Sequence, residues 1–333
     1  VQLFTVCVHH FLGSNYEYIY RTLEEEFPDI DFYRCYMDPV MQKKGLTPDQ
    51  KLRRAMFSKL PECDTKGNVV AILGGDFCFD RGSDLVRFLE WSGCDLRQVQ
   101  SAKTYDEYLK LSEACLFIDV HPAGETGVSN SAKRLGRNYL YLPATFDYDE
   151  IDAELKKLAD ALDIDASDFL RDNGKYKSLI EDKLLTLKNK LSDTEIAIDA
   201  TAHPRPLGLA KFLIEHGFTV KKVYLDVINP EEKEAFDKLK TIAPDLVLSA
   251  TVHVKKRHLL EPEKNVLAIG QKAAYFEQTG HFVNLVNGGN LWGYSGIKTM
   301  LDIMDDAYEN EKDTRDIVPR KGFGCVSCVE KYI

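Results

Sequence analysis

The sequence predicts an α/β protein assembled from several parallel-sheet layers. Three stretches carry that prediction: each has an apolar run of strand length, then a glycine-containing turn, then a segment whose apolar residues recur at helical spacing. This is the pattern of parallel strands covered by helices on both faces. At 333 residues the chain exceeds the ~100–200 of one domain, so two or three such units are expected.

The first stretch runs over residues 3–7, turns at Gly13-Ser14-Asn15 into a helix that ends near Phe27-Pro28, and reaches a short strand at 31–35. Val1 opens almost directly on the strand-like Leu3-Phe4-Thr5-Val6. That start predicts that part of the natural first layer is cut away, leaving 1–66 as an N-terminally truncated remnant of a first α/β domain. The second stretch begins at 68–73, breaks at Gly74-Gly75-Asp76, continues as a helix over about 82–92 and adds strands near Gln98 and at 116–120, which gives a second α/β domain over 67–150. Residues 151–193 carry Leu, Ile and Phe at helical spacing among Asp, Glu and Lys, and read as a helical hairpin or bridge. The third stretch begins at 195–199, passes His203-Pro204-Arg205-Pro206 and enters a helix over about 207–216 that Gly217 ends. Strands near 220–225, 246–249 and 266–269 and a closing helix over about 296–308 complete a third α/β domain, 194–310, followed by a tail at 311–333. No long Gly/Ser linker separates these units, so they are expected to pack and to form a cleft. In open α/β sheets ligands bind beyond the carboxyl ends of the strands, so the candidate residues are those just after them.

Composition narrows the function. With 43 Lys and Arg against 53 Asp and Glu, the net charge of −10 argues against a chain that neutralises nucleic-acid phosphates or lies on an anionic membrane. Neither a membrane-spanning apolar run nor a signal-peptide pattern is visible. Eight cysteines in 333 residues are too sparse for a disulfide scaffold and predict reduced thiols in a cytoplasmic setting, which raises the question of metal binding.

Cys7 closes the first strand before a helical turn, a placement that favours the thiolate and suits a metal ligand; the alternative is a buried thiol acting as a small apolar residue. Cys325-Val326-Ser327-Cys328 follows Gly322-Phe323-Gly324, and can be read as cluster or metal ligation, a regulatory disulfide or an inert tail. The turn at Gly74-Gly75-Asp76-Phe77 could face an anion with its amides, but it is neither a Walker loop nor a dinucleotide fingerprint. His121 and Glu125 sit in a Gly-containing loop leaving an apolar strand, as acid–base or ligand sites do, or as turn chemistry with a surface histidine. His203 and Arg205 would place two donor or cationic groups above the third sheet, suited to a carboxylate-bearing ligand. His253 and His258 belong to a Lys/Arg-rich solvated face, and Cys35, Cys63, Cys78, Cys94 and Cys115 share no ligand spacing.

The run Ile269-Gly270-Gln271-Lys272-Ala273-Ala274-Tyr275-Phe276-Glu277-Gln278-Thr279-Gly280, followed by Leu291-Trp292-Gly293-Tyr294-Ser295-Gly296-Ile297, resembles the component 1 subunits of nitrogenase and nitrogenase-like reductases. Ala202-His203-Pro204-Arg205-Pro206 is similar to that family's R-P-R turn at the start of its last domain. Cys7-Val8-His9-His10-Phe11-Leu12-Gly13-Ser14 is similar to the strand-to-helix segment that carries a cluster cysteine. The resemblance covers nearly the whole chain. It implies multiple Rossmann-like parallel-sheet domains of the nitrogenase component 1 type, a homo- or hetero-oligomer with a component 1 type subunit, and an iron–sulfur cluster, expected as 4Fe-4S, with Cys7 among its ligands. It also implies electrons delivered by a nitrogenase iron-protein-like ATPase. Near His121 the alignment places Val120 or His121 where nitrogenase has a cofactor-binding Cys, and no His aligns around Val283-Asn284-Leu285. Dinitrogen reduction is therefore not expected. The closer likeness is to the smaller relatives that reduce tetrapyrrole rings, the reductive cyclase of the methanogen nickel tetrapyrrole and the protochlorophyllide reductases. Against such a carboxylated substrate Asp76, His121, Glu125, His203 and Arg205 are the candidate pocket residues, with Cys325 and Cys328 as further metal candidates outside the resemblance. The alternatives are a non-catalytic scaffold for metallocofactor assembly and a periplasmic-binding-like ligand module.

Overall fold

The computed structural model describes residues 1–37, 45–252 and 265–313. In chain order the elements are β1 (Gln2–Val6), α1 (Cys7–Phe11), α2 (Tyr16–Glu26), β2 (Tyr33–Met37), α3 (Pro48–Phe57), β3 (Lys66–Ile72), α4 (Asp84–Trp91), β4 (Asp95–Gln98), α5 (Tyr105–Leu109), β5 (Ala114–Asp119), α6 (Glu125–Leu135) and β6 (Asn138–Tyr141). They continue as α7 (Tyr148–Ala161), α8 (Ser167–Asn173), α9 (Lys175–Lys190), β7 (Glu195–Asp199), α10 (Pro206–Glu215), β8 (Thr219–Tyr224), α11 (Lys233–Ile242), β9 (Val247–Ser249), β10 (Val266–Ile269), α12 (Gln271–Glu277), β11 (Phe282–Val283) and α13 (Gly293–Glu309). Contacts divide the chain into two units, one of residues 1–78 and 92–143, the other of 79–91 and 144 onward.

The first unit holds two parallel sheets: β1 beside β2, and a four-stranded sheet in the order β4-β3-β5-β6. Asn15 caps α2 by accepting from the Tyr18 amide at 3.1 Å, as its place after Gly13-Ser14 predicts. Thr47 and Gln50 form a reciprocal capping box at the start of α3. The apolar faces of β3 and β5 bury Val69, Ala71 and Phe117 against Phe57 of α3 and Val128 and Ala132 of α6. Gly127 brings α6 onto α3, since a Cβ there would lie 2.8 Å from the backbone of Arg53 and Arg54.

The second unit is built on a five-stranded parallel sheet in the order β11-β10-β7-β8-β9. Its central strands β7 and β10 read as continuous apolar runs because both faces are covered, with Ile196, Ile198, Leu267 and Ile269 buried. Helix α4 lies in this unit because Asp84 joins it to α13: the Asp84 amide donates to Ser295 Oγ at 3.1 Å, and the Ser295 amide donates back to Asp84 Oδ2 at 3.2 Å. Gly293, at φ +71°, leaves room for that carboxylate. The stretch read as a helical hairpin or bridge forms three helices, α7, α8 and α9, and Gly174 separates the last two. No described helix is long and apolar enough to cross a membrane.

Candidate functional site

Three places hold the candidate residues. The first is the edge around Cys7, which the structure makes the first residue of α1, immediately past β1. Its side chain is half-buried, and around it Phe4, Val6, Val8, Phe11 and Leu12 are exposed. Exposed apolar residues this close along the chain suit an interaction face. The reading of Cys7 as a fully buried apolar residue does not fit its exposure. Cys35 does fit it: the residue lies within β2, its Sγ donates to the Tyr33 carbonyl at 3.5 Å, and burial pushes the thiol up.

The second place is the carboxyl end of β3 and β5 in the first unit. Asp119, the last residue of β5, is fully buried, and a Cβ on either Gly74 or Gly124 would collide with its carboxylate. The turn after β3 and the start of α6 are therefore packed onto one side chain. Asp119 Oδ1 accepts from the His121 amide at 3.1 Å, whereas buried Oδ2 has no partner among the described residues. Burial raises this carboxyl to about 7, against the opposing His121 amide and the Arg53 charge. His121 is only 9% exposed; its Nδ1 accepts from the Ala123 amide at 3.2 Å. In the neutral ring the proton then sits on Nε2, which is buried and without a partner among the described residues. Burial, helped by Arg53, lowers its pKa, so the ring is neutral near pH 7. The expectation of one loop carrying both His121 and Glu125 is thus corrected: glycine here permits close packing, and Glu125 is the exposed first residue of α6.

Asp76 is engaged by Arg53, which binds three acceptors: Asp76 Oδ1 at 2.5 Å, Asp49 Oδ1 at 3.1 Å and the Gly74 carbonyl at 2.8 Å. Burial lowers the guanidinium pKa, but the two carboxylates outweigh it. The Gly74 turn therefore presents a carbonyl to a cation here, in place of the anion-facing amides that its composition allowed.

The third place is the corresponding strand end of the second unit. Asp199 closes β7 and is buried against Gly270, as Asp119 is against Gly74. Here both oxygens are satisfied: Oδ1 accepts from the Thr201 amide at 2.7 Å, the Ala202 amide at 3.2 Å and the Thr201 hydroxyl, and Oδ2 accepts from the Ala273 amide at 2.7 Å. His203 is buried, accepts from the Arg205 amide at 3.0 Å through Nδ1, and lies 4.8 Å from the Phe146 ring. The two His-Pro turns thus share one device, an imidazole nitrogen holding the amide two residues on.

Arg205 forks onto Glu150 at 2.7 and 3.2 Å and borders a cavity of about 250 Å³ shared with Glu150, Lys211 and Glu231. Glu154 and Glu232 are buried beside this cation, each with one oxygen that has no partner among the described residues. Burial drives Glu154 to about 9 and Glu232 to about 7, the latter although its Oε1 accepts from the Leu207 and Gly208 amides at 2.6 and 3.0 Å. Sequence reasoning missed Arg53, Asp119, Asp199, Glu150, Glu154 and Glu232. Asp119 and Asp199 had a signal, an acid ending an otherwise apolar strand just before a His-Pro turn.

An iron–sulfur cluster needs several cysteine thiolates converging on one place. Among the described residues no group of three or more His, Cys, Asp or Glu converges to hold a metal. The described part of the chain offers Cys7 as one thiolate and does not complete a site. Cys325, Cys328, His253 and His258 lie outside the described residues.

These features define an α/β chain whose strand ends are lined by buried acids and histidines. The sequence model of the nitrogenase component 1 type oxidoreductase family matches residues 2–309, so the chain belongs to that family. Among solved structures it is similar to nitrogenase Cp1 at pH 6.5, with 14% identity and a TM-score of 0.62 over 98% of this chain and 78% of that one. It is also similar to nitrogenase Cp1 at pH 5, with 14% identity and a TM-score of 0.57 over 92% and 71%. At that identity the likeness shows the fold. No curated protein matches the sequence.

Proposed function

We propose that this chain is the iron–sulfur oxidoreductase subunit of a nitrogenase-like two-component system, reducing an organic or tetrapyrrole-type substrate with electrons from a separate iron-protein-like ATPase. The observation that carries the reading is Cys7 at an exposed apolar edge, half-accessible and one residue beyond β1, in a chain that belongs to this family. One thiolate on an apolar rim suits a cluster completed by other cysteines, with a second component 1 type subunit covering the rim. A bound cluster would supply low-potential electrons; the protein supplies the enclosure and the protons. Asp119, with a carboxyl near 7 and a buried, partnerless oxygen, is suited to hold a proton at neutral pH, and His121 presents an N–H at the same strand end. Asp76, Glu125, His203 and Arg205 are kept as candidate pocket residues because they follow strand ends. Arg205 would meet a substrate carboxylate only by loosening its fork on Glu150.

The test is anoxic purification followed by mixing with an iron-protein-like reductase and ATP. The reading expects iron-containing protein whose visible absorbance bleaches on reduction and recovers when substrate is added. Transfer of a metallocofactor to an acceptor without turnover would instead support the scaffold alternative, and iron-free protein would refute both.

A further inference from the structure

Acids outnumber Lys and Arg by 53 to 43 in this chain, so a cation on its surface has carboxylates to pair with. One cavity of the first unit departs from this. Its volume is about 540 Å³, within the range of small-molecule sites, and it is lined by Arg34, Lys51, Arg54 and Arg134, with no carboxylate among the described residues of its wall. Asn130, Ser58, Ser131 and Tyr36 contribute the remaining polar groups.

The placement follows from local structure. Lys51, Arg54 and Ser58 succeed one another along one face of α3 and its C-cap, Asn130 and Arg134 lie one turn apart on α6, and Arg34 and Tyr36 share a face of β2. Arg34 is neutralised and fixed by Glu17 at 2.8 Å and Glu24 at 2.9 Å, and lies over the Tyr20 ring. Arg134 is held through Nη2, which donates to the Phe57 and Leu60 carbonyls at 3.4 and 2.7 Å. Lys51 and Arg54 form no ion pair with any described residue. Three cations therefore bring unmatched charge to one concavity whose walls are fixed by the close packing of α6 on α3 at Gly127.

We propose that the cavity between α3, α6 and β2 binds a small multivalent oxyanion, with Lys51, Arg54 and Arg134 as its cationic ligands. Guanidinium groups engage the paired oxygens of phosphates and carboxylates in a fork, and the ammonium of Lys51 adds a point charge. Its lining includes neither Cys7 nor the strand-end acids, and the proposal does not depend on the redox reading.

The test is calorimetric titration of the full chain at low salt with tripolyphosphate in one arm and citrate in the other. It uses the wild type, Lys51→Glu/Arg54→Glu, and the charge-matched Lys133→Glu/Lys156→Glu, whose exposed lysines lie outside the cavity. Saturable binding of one anion per chain is expected. It should weaken at least about tenfold in the cavity variant and stay within about twofold in the control. A stronger response to tripolyphosphate assigns a phosphorylated ligand, and a stronger response to citrate a polycarboxylate. If the charge reversal unfolds the chain, as far-ultraviolet circular dichroism would show, the milder Arg54→Gln replaces it with the same direction expected. No saturable binding of either anion, or equal weakening in cavity and control variants, overturns the proposal.

Discussion

Gly270→Ala probes how a strand-end acid organises the second unit. Gly270 has φ +109° and ψ 156°, a region that only glycine occupies comfortably, and residues forced there cost about 1–3 kcal/mol. An added Cβ would also collide with the Asp199 carboxylate, which accepts from the Thr201, Ala202 and Ala273 amides. Losing one hydrogen bond to this buried acid costs about 1.5–3 kcal/mol more, so Gly270→Ala should destabilise the unit by about 2.5–6 kcal/mol. Gly217→Ala is the control. Its φ is +82°, but an added Cβ meets only the mobile end of Lys188, so the expected cost is the backbone penalty of about 1–2 kcal/mol. Both tryptophans, Trp91 and Trp292, lie in this unit, so tryptophan fluorescence during urea unfolding reports on it alone. Equal losses in the two variants would refute the reasoning.

Two further outcomes are expected. Asp119 titrates at 3.8 in an unfolded chain and about 7 in the folded one, so the folded chain binds more protons between those values and stability falls as pH rises through that window. Asp119→Asn removes this dependence, changing the stability difference from wild type by up to about 4 kcal/mol between pH 4 and 8, and Glu154→Gln extends the same effect to about pH 9. Parallel pH–stability curves in chemical denaturation would contradict both. Arg205→Met strips the cation from Glu150 and from the buried Glu154 and Glu232, and with Glu150 still 44% exposed a loss of about 2 kcal/mol is expected, read by the same fluorescence. A loss under about 0.5 kcal/mol would show that the fork contributes no net stability.

The central strands were legible in the sequence because burial on both faces leaves them uniformly apolar, and 195–199 and 266–269 coincide with β7 and β10. Helix α6 was not, because Glu125-Thr126-Gly127 reads as a loop; its glycine serves close packing on α3, which local sequence does not encode. Helix α4 follows β3 in sequence yet belongs to the second unit, since the Asp84–Ser295 pairing that holds it spans 211 residues. At the strand ends the sequence pointed to His121, His203 and Arg205 by residue type. The acids that organise them, Asp119, Asp199 and Glu150, gained their character from burial and partners brought together by folding.

The most direct test of the functional account is the iron and acid-labile sulfide content of anoxically purified wild type, Cys7→Ser and Cys35→Ser chains. The account predicts that Cys7→Ser loses the iron and sulfide while Cys35→Ser, altered only within a buried strand, retains them. Wild-type content in Cys7→Ser would contradict it.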